Sequence, residues 1–366
     1  MKIGIDASRA FRAEKTGTEE YSYRLIRNLA LVENSTHEVV LYVKRETEVD
    51  FALPCHFSLR KIGGNFLWTQ LHLSSEILKR KVDVLFVPSH CIPVIHPART
   101  VVTVHGLEYK NFPECYSLKD RIILEVNTKL SLLFAKKIIV PSKSTAGNLI
   151  KFYKVPSEKI EIVYHGSDGI KNFQKKNEGG SFNICFIGRI EKRKNIIGIV
   201  RAFNDFMKKI ESSKQAEDVN ANLILAGKAG FGFEEIEREI LNSPYRKNIS
   251  LLGFINEKEK WELYENADVF LFLSFAEGFG IPLLEAMSCG VPIITSNSSA
   301  LAEVAGESAI LVNPLNPAEI ATALYELYQN ESKRKYFKSR GYSNLEKFDW
   351  GKCARETWKV LSEWGG

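Results

Sequence analysis

Short apolar runs, each closing on a glycine, proline or polar break, alternate with helix-length stretches along this whole chain. In the first half the runs are Lys2–Ala7, Glu38–Val43, Val82–Val87, Arg99–Val104, Lys137–Pro141 and Lys159–Val163. In the second half they are Phe182–Ile187, Leu223–Ala226, Ile249–Leu252, Ala267–Ser274, Val291–Thr295 and Ala309–Val312. A near-continuous apolar run suits a strand buried on both faces, and a helix between successive strands lets them lie parallel. The alternation therefore predicts α/β architecture, with parallel sheets covered by helices. Helices are expected at 19–31, 67–81, 118–135, 144–153, 196–209, 257–265 and 317–328. A chain of 366 residues exceeds one ordinary core, so two domains are expected. The polar, glycine-containing stretch 169–180 reads as the linker between a domain at 1–168 and another at 181–346. The tail carries Trp350, Trp358, Leu361 and Trp364 and is expected to pack against a neighbouring domain.

Composition narrows the function. Residues 1–168 hold 24 Lys and Arg against 18 Asp and Glu, whereas residues 169–366 hold 26 of each sign. The basic first half suits an anionic partner or an ordinary solvated surface. No aromatic–basic module points to nucleic acid; a phospholipid surface or a lipid pyrophosphate fits at least as well. The helical stretches 67–81 and 118–137 mix leucines with lysines and arginines, which suits either a membrane surface or the cover of their own sheet. Six cysteines are scattered without a Cys-x-x-Cys pair, so reduced thiols are expected rather than a metal site or disulfide framework. No signal peptide and no membrane-length apolar run is visible, which points to a cytoplasmic protein, with the cytoplasmic face of the membrane as the alternative.

The chemistry concentrates where the run 267–274 breaks at Phe275-Ala276-Glu277-Gly278-Phe279-Gly280-Ile281-Pro282 and restarts as a helix near Leu283. A helix start after a strand presents unpaired N–H groups and roughly half a positive charge to a phosphate. Glu277 and Glu285 bracket the turn with seven residues between them, and suit hydroxyl groups on either side of that phosphate. Arg189 and Lys194, just beyond the first strand of the same half, supply further positive charge for a departing pyrophosphate. Taken singly, Glu285 is an ordinary helix-start carboxylate, and Arg189 and Lys194 belong to a solvated charge run. Their joint spacing and chain order make the functional reading the stronger one.

In the first half, Thr16-Gly17-Thr18 lies between the first strand and its helix, as half of a nucleotide-binding-like unit or a plain tight turn. The dinucleotide fingerprint Gly-x-Gly-x-x-Gly is missing there. His105-Gly106 stands at the carboxyl end of 99–104, where open α/β sheets bind ligands.

These residues resemble the retaining glycosyltransferases of family four. The most specific matches are Gly188-Arg189 with Lys194-Asn195, and Glu277 through Ala286, which looks like that family's Glu-x7-Glu motif. Softer matches are Thr103–Gly106, Val140–Ser142 and Val163–Gly166. The resemblance implies the GT-B fold, two Rossmann-like domains facing across a cleft, with the C-terminal helix 347–366 crossing back to the first. It implies that Glu285 holds the ribose, Arg189 and Lys194 the pyrophosphate, and Glu277 the sugar ring. It places His105 beside the sugar and Gly17 and Thr18 near the phosphates or the acceptor. Phe254, Gly278, Phe279, Gly280, Ile281, Pro282 and Leu283 complete the donor set. The implied reaction moves a hexose, with mannose from GDP-mannose preferred, to a glycan or polyprenyl-linked acceptor in surface-polysaccharide assembly. No cofactor or metal is expected, since the nucleotide sugar is a co-substrate. A UDP-sugar donor, a nucleotide-sugar epimerase and a non-enzymatic nucleotide-binding protein are the alternatives. Two departures stand out: the first loop has one glycine where relatives have two or three, and Gly106 stands where many relatives carry Asp.

Overall fold

The computed structural model describes residues 1–12, 14–33, 37–171, 180–213 and 220–363. Two compact units emerge, one from residues 1–107, 118–166 and 348–366, the other from 108–117 and 167–347. Most of the expected linker (172–179), the middle of a polar insertion (214–219) and Trp364 lie outside the described residues.

The first unit is built on a seven-stranded sheet, β1 Lys2–Asp6, β2 Glu38–Lys44, β3 Phe57–Ile62, β4 Val84–Val87, β5 Arg99–Thr103, β6 Lys137–Val140 and β7 Ile160–Ile162. Its order is β3-β2-β1-β4-β5-β6-β7, and every pairing is parallel. The second unit carries β8 Phe182–Ile187, β9 Ala221–Ala226, β10 Ile249–Gly253, β11 Val269–Phe272, β12 Ile293–Ser296 and β13 Ala309–Val312. They run β10-β9-β8-β11-β12-β13, again all parallel. All residues of β4, β8, β11 and β12 are buried, as expected of strands covered on both faces.

Both sheets share the doubly wound arrangement in which the order of strands across the sheet reverses beside the first strand. That reversal lies between β1 and β4 in one unit and between β8 and β11 in the other. Ligands of such sheets bind outside the carboxyl ends of the strands at that switch point. β8 leads into Gly188-Arg189 and β11 into the Glu277 turn, so the sequence's best candidates flank the switch point of the second sheet.

The C-terminal helix Trp350–Ser362 belongs to the first unit, where Trp350, Cys353, Ala354 and Leu361 join a core with Tyr21, Leu25 and Leu29. Gly166 makes this packing possible, since a Cβ there would lie 2.2 Å from the Trp350 backbone nitrogen.

Several boundaries differ from the sequence reading. Strand β3 was not anticipated; it pairs only with β2, and charged Arg60 and Lys61 obscure its pattern. Residues 108–117 belong to the second unit, where Phe112 stacks on Phe275 at 5.5 Å. The expected helix 67–81 is two shorter pieces, a wide turn Thr69–Leu73 and the helix Ser74–Lys79. The helix after the Glu277 turn starts at Ile281, with Pro282 in its first turn, rather than at Leu283. Helices Phe233–Leu241, Ser299–Ala305 and Glu331–Leu345 were also not anticipated.

Candidate active site

Gly280 caps the helix Ile281–Ser288 at φ 112°, ψ 53°, a left-handed conformation that disfavours side chains. A Cβ on Gly280 would also lie 2.8 Å from the Leu301 methyl. No side chain caps this helix start, so its first-turn dipole has no built-in carboxylate or hydroxyl partner.

Glu277 sits before that turn and is tied to two cations. Arg193 Nη1 lies 2.9 Å from Glu277 Oε1, and Lys194 Nζ bonds the same oxygen. Burial alone would raise the Glu277 carboxyl, but the facing Arg193 and Lys194 charges outweigh it and hold it at about 2. Lys194 is buried and its ammonium is pulled down by that burial against the pull of Glu277. Arg193 also donates to the Ala276 carbonyl at 3.0 Å and to Glu191 at 2.8 Å, and its own carbonyl accepts from the Phe275 N–H at 3.0 Å. The segment after β8 is thereby stitched to the segment after β11, across the switch point.

Glu285 occupies a different environment one turn into the helix. Lys260 Nζ approaches its Oε1 at 2.7 Å, and the Tyr264 hydroxyl donates to its Oε2 at 3.1 Å. Burial pushes the Glu285 carboxyl up, with Lys260 and Tyr264 pulling the other way. Lys260 in turn is shared with Glu257 at 3.0 Å. The helix Glu257–Glu265 places Lys260 and Tyr264 on one face by their spacing of four, and Asn256 caps it through a capping box with Glu259.

The remaining second-unit candidates lie nearer solvent. Arg189 is mostly exposed, with its guanidinium only 4.0 Å from Glu191. The sequence reading gave Arg189 and Lys194 to the pyrophosphate; the structure adds Arg193, which lies against Glu277 beside Lys194. Just before Arg189 the backbone runs close to the next loop: a Cβ on Gly227 would lie 1.8 Å from the Gly188 carbonyl oxygen. Phe254, just past β10, is half-exposed with Lys228 Nζ 4.6 Å from its ring centre.

His105, Gly17 and Thr18 belong to the first unit. The His105 backbone N–H donates to His90 Nε2 at 2.8 Å. His105 Nε2 lies 3.1 Å from the Pro88 carbonyl oxygen, which can only accept, so that nitrogen carries the proton. Burial pushes His105 down to about 4 and His90 down to about 3, so both rings are neutral at physiological pH. Tyr21 meets the His105 ring edge-on at 4.8 Å. Gly17 and Thr18 open the helix Gly17–Leu29, two residues earlier than expected, and Glu19 folds back onto Thr16 while Arg9 and Arg12 approach it at 3.7 Å. A Cβ on Gly17 would meet nothing within 4 Å, so packing inside the fold does not require glycine there.

Comparison with known proteins decides the family. Residues 15–168 match the family described as Glycosyltransferase Family 4, and residues 168–344 match Glycosyl transferases group 1. The chain belongs to the GT-B glycosyltransferases. Among its relatives, the O-antigen chain mannosyltransferase B of Escherichia coli is 29% identical over 270 residues, covering 71% of this chain and 69% of that protein. The O-antigen chain mannosyltransferase RfbU of Salmonella typhimurium is 25% identical over 240 residues, 66% of this chain and 63% of that one. Among solved structures, Anabaena HepE in complex with UDP and glucose superposes with a TM-score of 0.70 at 16% identity, over 99% of both chains.

For this glycosyltransferase, the side chains other than Lys194 that hold the two candidate carboxylates were the part the sequence reading missed. Arg193 was hidden inside the run Arg-Ile-Glu-Lys-Arg-Lys, where nothing in the order distinguishes a buried cation from a solvated one. Lys260 and Tyr264 were signalled only by their spacing on an otherwise polar helix. His90 gave no signal, because its bond is to a backbone N–H. Among the described residues no group of three or more His, Cys, Asp or Glu is placed to hold a metal ion, and no helix is long and apolar enough to cross a membrane.

Proposed function

We propose that this glycosyltransferase moves a hexose, with mannose from GDP-mannose as the preferred donor, onto a glycan or polyprenyl-linked acceptor in surface-polysaccharide assembly. The observation that carries the donor half is the contrast between two carboxylates flanking an uncapped helix start. Glu277 is bonded by two cations, Arg193 and Lys194, whereas Glu285 has one, Lys260, and accepts from the neutral Tyr264 hydroxyl. A nucleoside diphosphate lies with its pyrophosphate at Gly280–Leu283, its ribose hydroxyls donating to Glu285 and its base towards Phe254. The sugar then meets Glu277, and Gly278 and Phe279 shape the turn around it. Arg189 and Lys194, with the helix dipole, supply the charge that the departing diphosphate needs, without a metal. The first unit contributes the acceptor side through Gly17, Thr18 and neutral His105. The preference for mannose rests on the named activities of the two mannosyltransferase relatives.

In this reading the acceptor oxygen attacks the anomeric carbon as its bond to the β-phosphate oxygen breaks. The acceptor proton passes to the departing phosphate, and a glycoside and a nucleoside diphosphate result. Configuration is retained by attack on the face that the leaving group vacates. A carboxylate held at about 2 and bonded by two cations is a weak base and a poor nucleophile, which argues against Glu277 forming a covalent intermediate. The test is a panel of nucleotide sugars, scored by thermal shift and then by product mass and anomeric NMR with an acceptor present and a chelator added. The reading expects one donor to stabilise the protein and an axial glycoside to form in chelator. Donor converted without acceptor, an inverted product, or no donor bound would each contradict it.

A further inference from the structure

Two imidazoles stand face to face just past the carboxyl ends of β4 and β5 in the first unit. The rings of His90 and His105 lie 12° from parallel, with their centres 5.6 Å apart. His90 is fixed through its own backbone: its carbonyl accepts from the Ser131 hydroxyl at 2.6 Å, and that hydroxyl accepts from the Ile92 N–H at 3.4 Å. His105 is hemmed in by Tyr21 at 4.8 Å and by His165 at 5.8 Å, while Gly106 after it brings no side chain. Neither ring can turn freely, so the bonds that each makes set its tautomer.

His90 Nε2 accepts the His105 backbone N–H at 2.8 Å, so in the neutral ring the proton sits on His90 Nδ1. His105 Nε2 donates to the Pro88 carbonyl at 3.1 Å, so there Nδ1 carries the lone pair. Neither Nδ1 has a hydrogen-bond partner among the described residues, and neither is sealed from solvent. The pair thus offers one donor and one acceptor side by side. A phosphate or carboxylate only accepts, which would set its oxygen against the His105 lone pair; an ammonium only donates, which would set it against the His90 N–H. Neighbouring saccharide hydroxyls match both rings, because each hydroxyl can donate or accept. We propose that His90 is a specificity-determining residue of the first unit: its Nδ1–H donates to one hydroxyl of a saccharide substrate, His105 Nδ1 accepts from the neighbouring hydroxyl, and His90 Nε2 holds His105 in place to do so. This deepens the reading of the protein as a hexosyltransferase and rests on it. The hydroxyl pair belongs to the donor hexose or to the acceptor glycan, two sources of the same chemistry.

The experiment measures kcat/KM with monodeoxy and monofluoro forms of the donor hexose and of the acceptor sugar, for wild type, His90→Phe and His90→Gln. A fluorine accepts weakly and cannot donate. At the hydroxyl that donates to His105, the deoxy and fluoro substrates should both lose roughly tenfold with wild type. At its neighbour, which accepts from His90, the deoxy substrate should lose more than the fluoro one. Whether these positions fall on the donor or on the acceptor analogues identifies the source. His90→Phe keeps the stacking and neither bond, so it should lose about tenfold with the unmodified saccharide, mainly in KM, and no longer separate fluoro from deoxy at the second position. His90→Gln, with an amide oxygen and an amide N–H, should restore most of that discrimination. Nucleoside diphosphate affinity should be the same in all three proteins, which separates a lost saccharide contact from general damage. A His90→Phe variant that discriminates as wild type does would overturn the proposal, and so would a Gln variant no better than Phe. Absence of turnover with every nucleotide sugar would contradict the hexosyltransferase reading together with this inference, whereas turnover with unchanged discrimination would contradict this inference alone.

Discussion

Replacing Glu277 by Gln removes the carboxylate that neutralises Arg193 and Lys194 while keeping its size. The wild-type carboxyl is held at about 2, against an ordinary 4.5 for an exposed glutamate, because the two cations overcome its burial. That shift corresponds to about 3 kcal/mol of folding stability. Its sign follows from linkage: a carboxyl whose folded pKa is depressed stabilises above its unfolded value and loses that stabilisation as pH falls through its folded one. The Gln variant should therefore be about 3 kcal/mol less stable than wild type near neutrality. The gap should narrow between pH 4.5 and 2, as the wild type itself becomes protonated. Urea unfolding read by hydrogen exchange of peptides from 182–346 isolates the second unit. Adding Lys194→Met to Glu277→Gln should recover part of the loss, since the Gln variant leaves two cations facing each other in a buried space. A Gln variant within about 0.5 kcal/mol of wild type, or a gap independent of pH, would refute the reasoning.

Two glycines should respond oppositely. Gly280→Ala puts a side chain at φ 112° against Leu301 and should cost about 1–3 kcal/mol in thermal unfolding. Gly17→Ala meets nothing within 4 Å and should leave stability unchanged, so that any effect shows only in turnover. Lys260→Met leaves Glu285 buried without its cation, so its carboxyl should rise further and nucleotide affinity, measured by calorimetry, should fall as pH drops from 8 to 6. His90 and His105 are buried neutral with folded values of about 3 and about 4, below the ordinary 6.5. Stability they contribute is present above pH 6.5 and lost as pH falls towards 4. His90→Gln, whose amide oxygen can still accept the His105 N–H, should make acid unfolding of the first unit shallower.

The strands were legible wherever burial on both faces made them continuously apolar, as in Phe182–Ile187 and Ala309–Val312, both of which match the observed bounds. β3 was not, because an edge strand tolerates charge on both faces, and the consecutive Arg60 and Lys61 point to opposite sides. The helix Glu331–Leu345 was invisible for a related reason: only Phe337, Gly341, Asn344 and Leu345 are buried on it, too few for a stripe. At the site, the motif residues Glu277, Gly280 and Glu285 carried their own signal, since a strand, a break and a helix start are local patterns. Their partners were not local. Which cation of Arg189, Arg193 and Lys194 turns inward depends on the 3-10 turn Lys192–Lys194 and on the Ala276 carbonyl contributed from beyond β11. Segment 108–117 reads as part of the first domain from chain continuity alone, because the contact that shows otherwise, Phe112 on Phe275, joins residues far apart in the sequence.

The central claim is that Glu285 receives the ribose of a nucleoside diphosphate. It is tested most directly by calorimetric titration of wild type and Glu285→Ala with the preferred nucleoside diphosphate and its 2′,3′-dideoxy analogue. Hydrogen bonds to a charged acceptor contribute about 1.5–3 kcal/mol, so wild type should bind the dideoxy analogue on the order of tenfold to a hundredfold more weakly. Glu285→Ala should bind both nucleotides with the same, weakened affinity. Equal discrimination by the two proteins would contradict the account, because the hydroxyls would then be read by some other group.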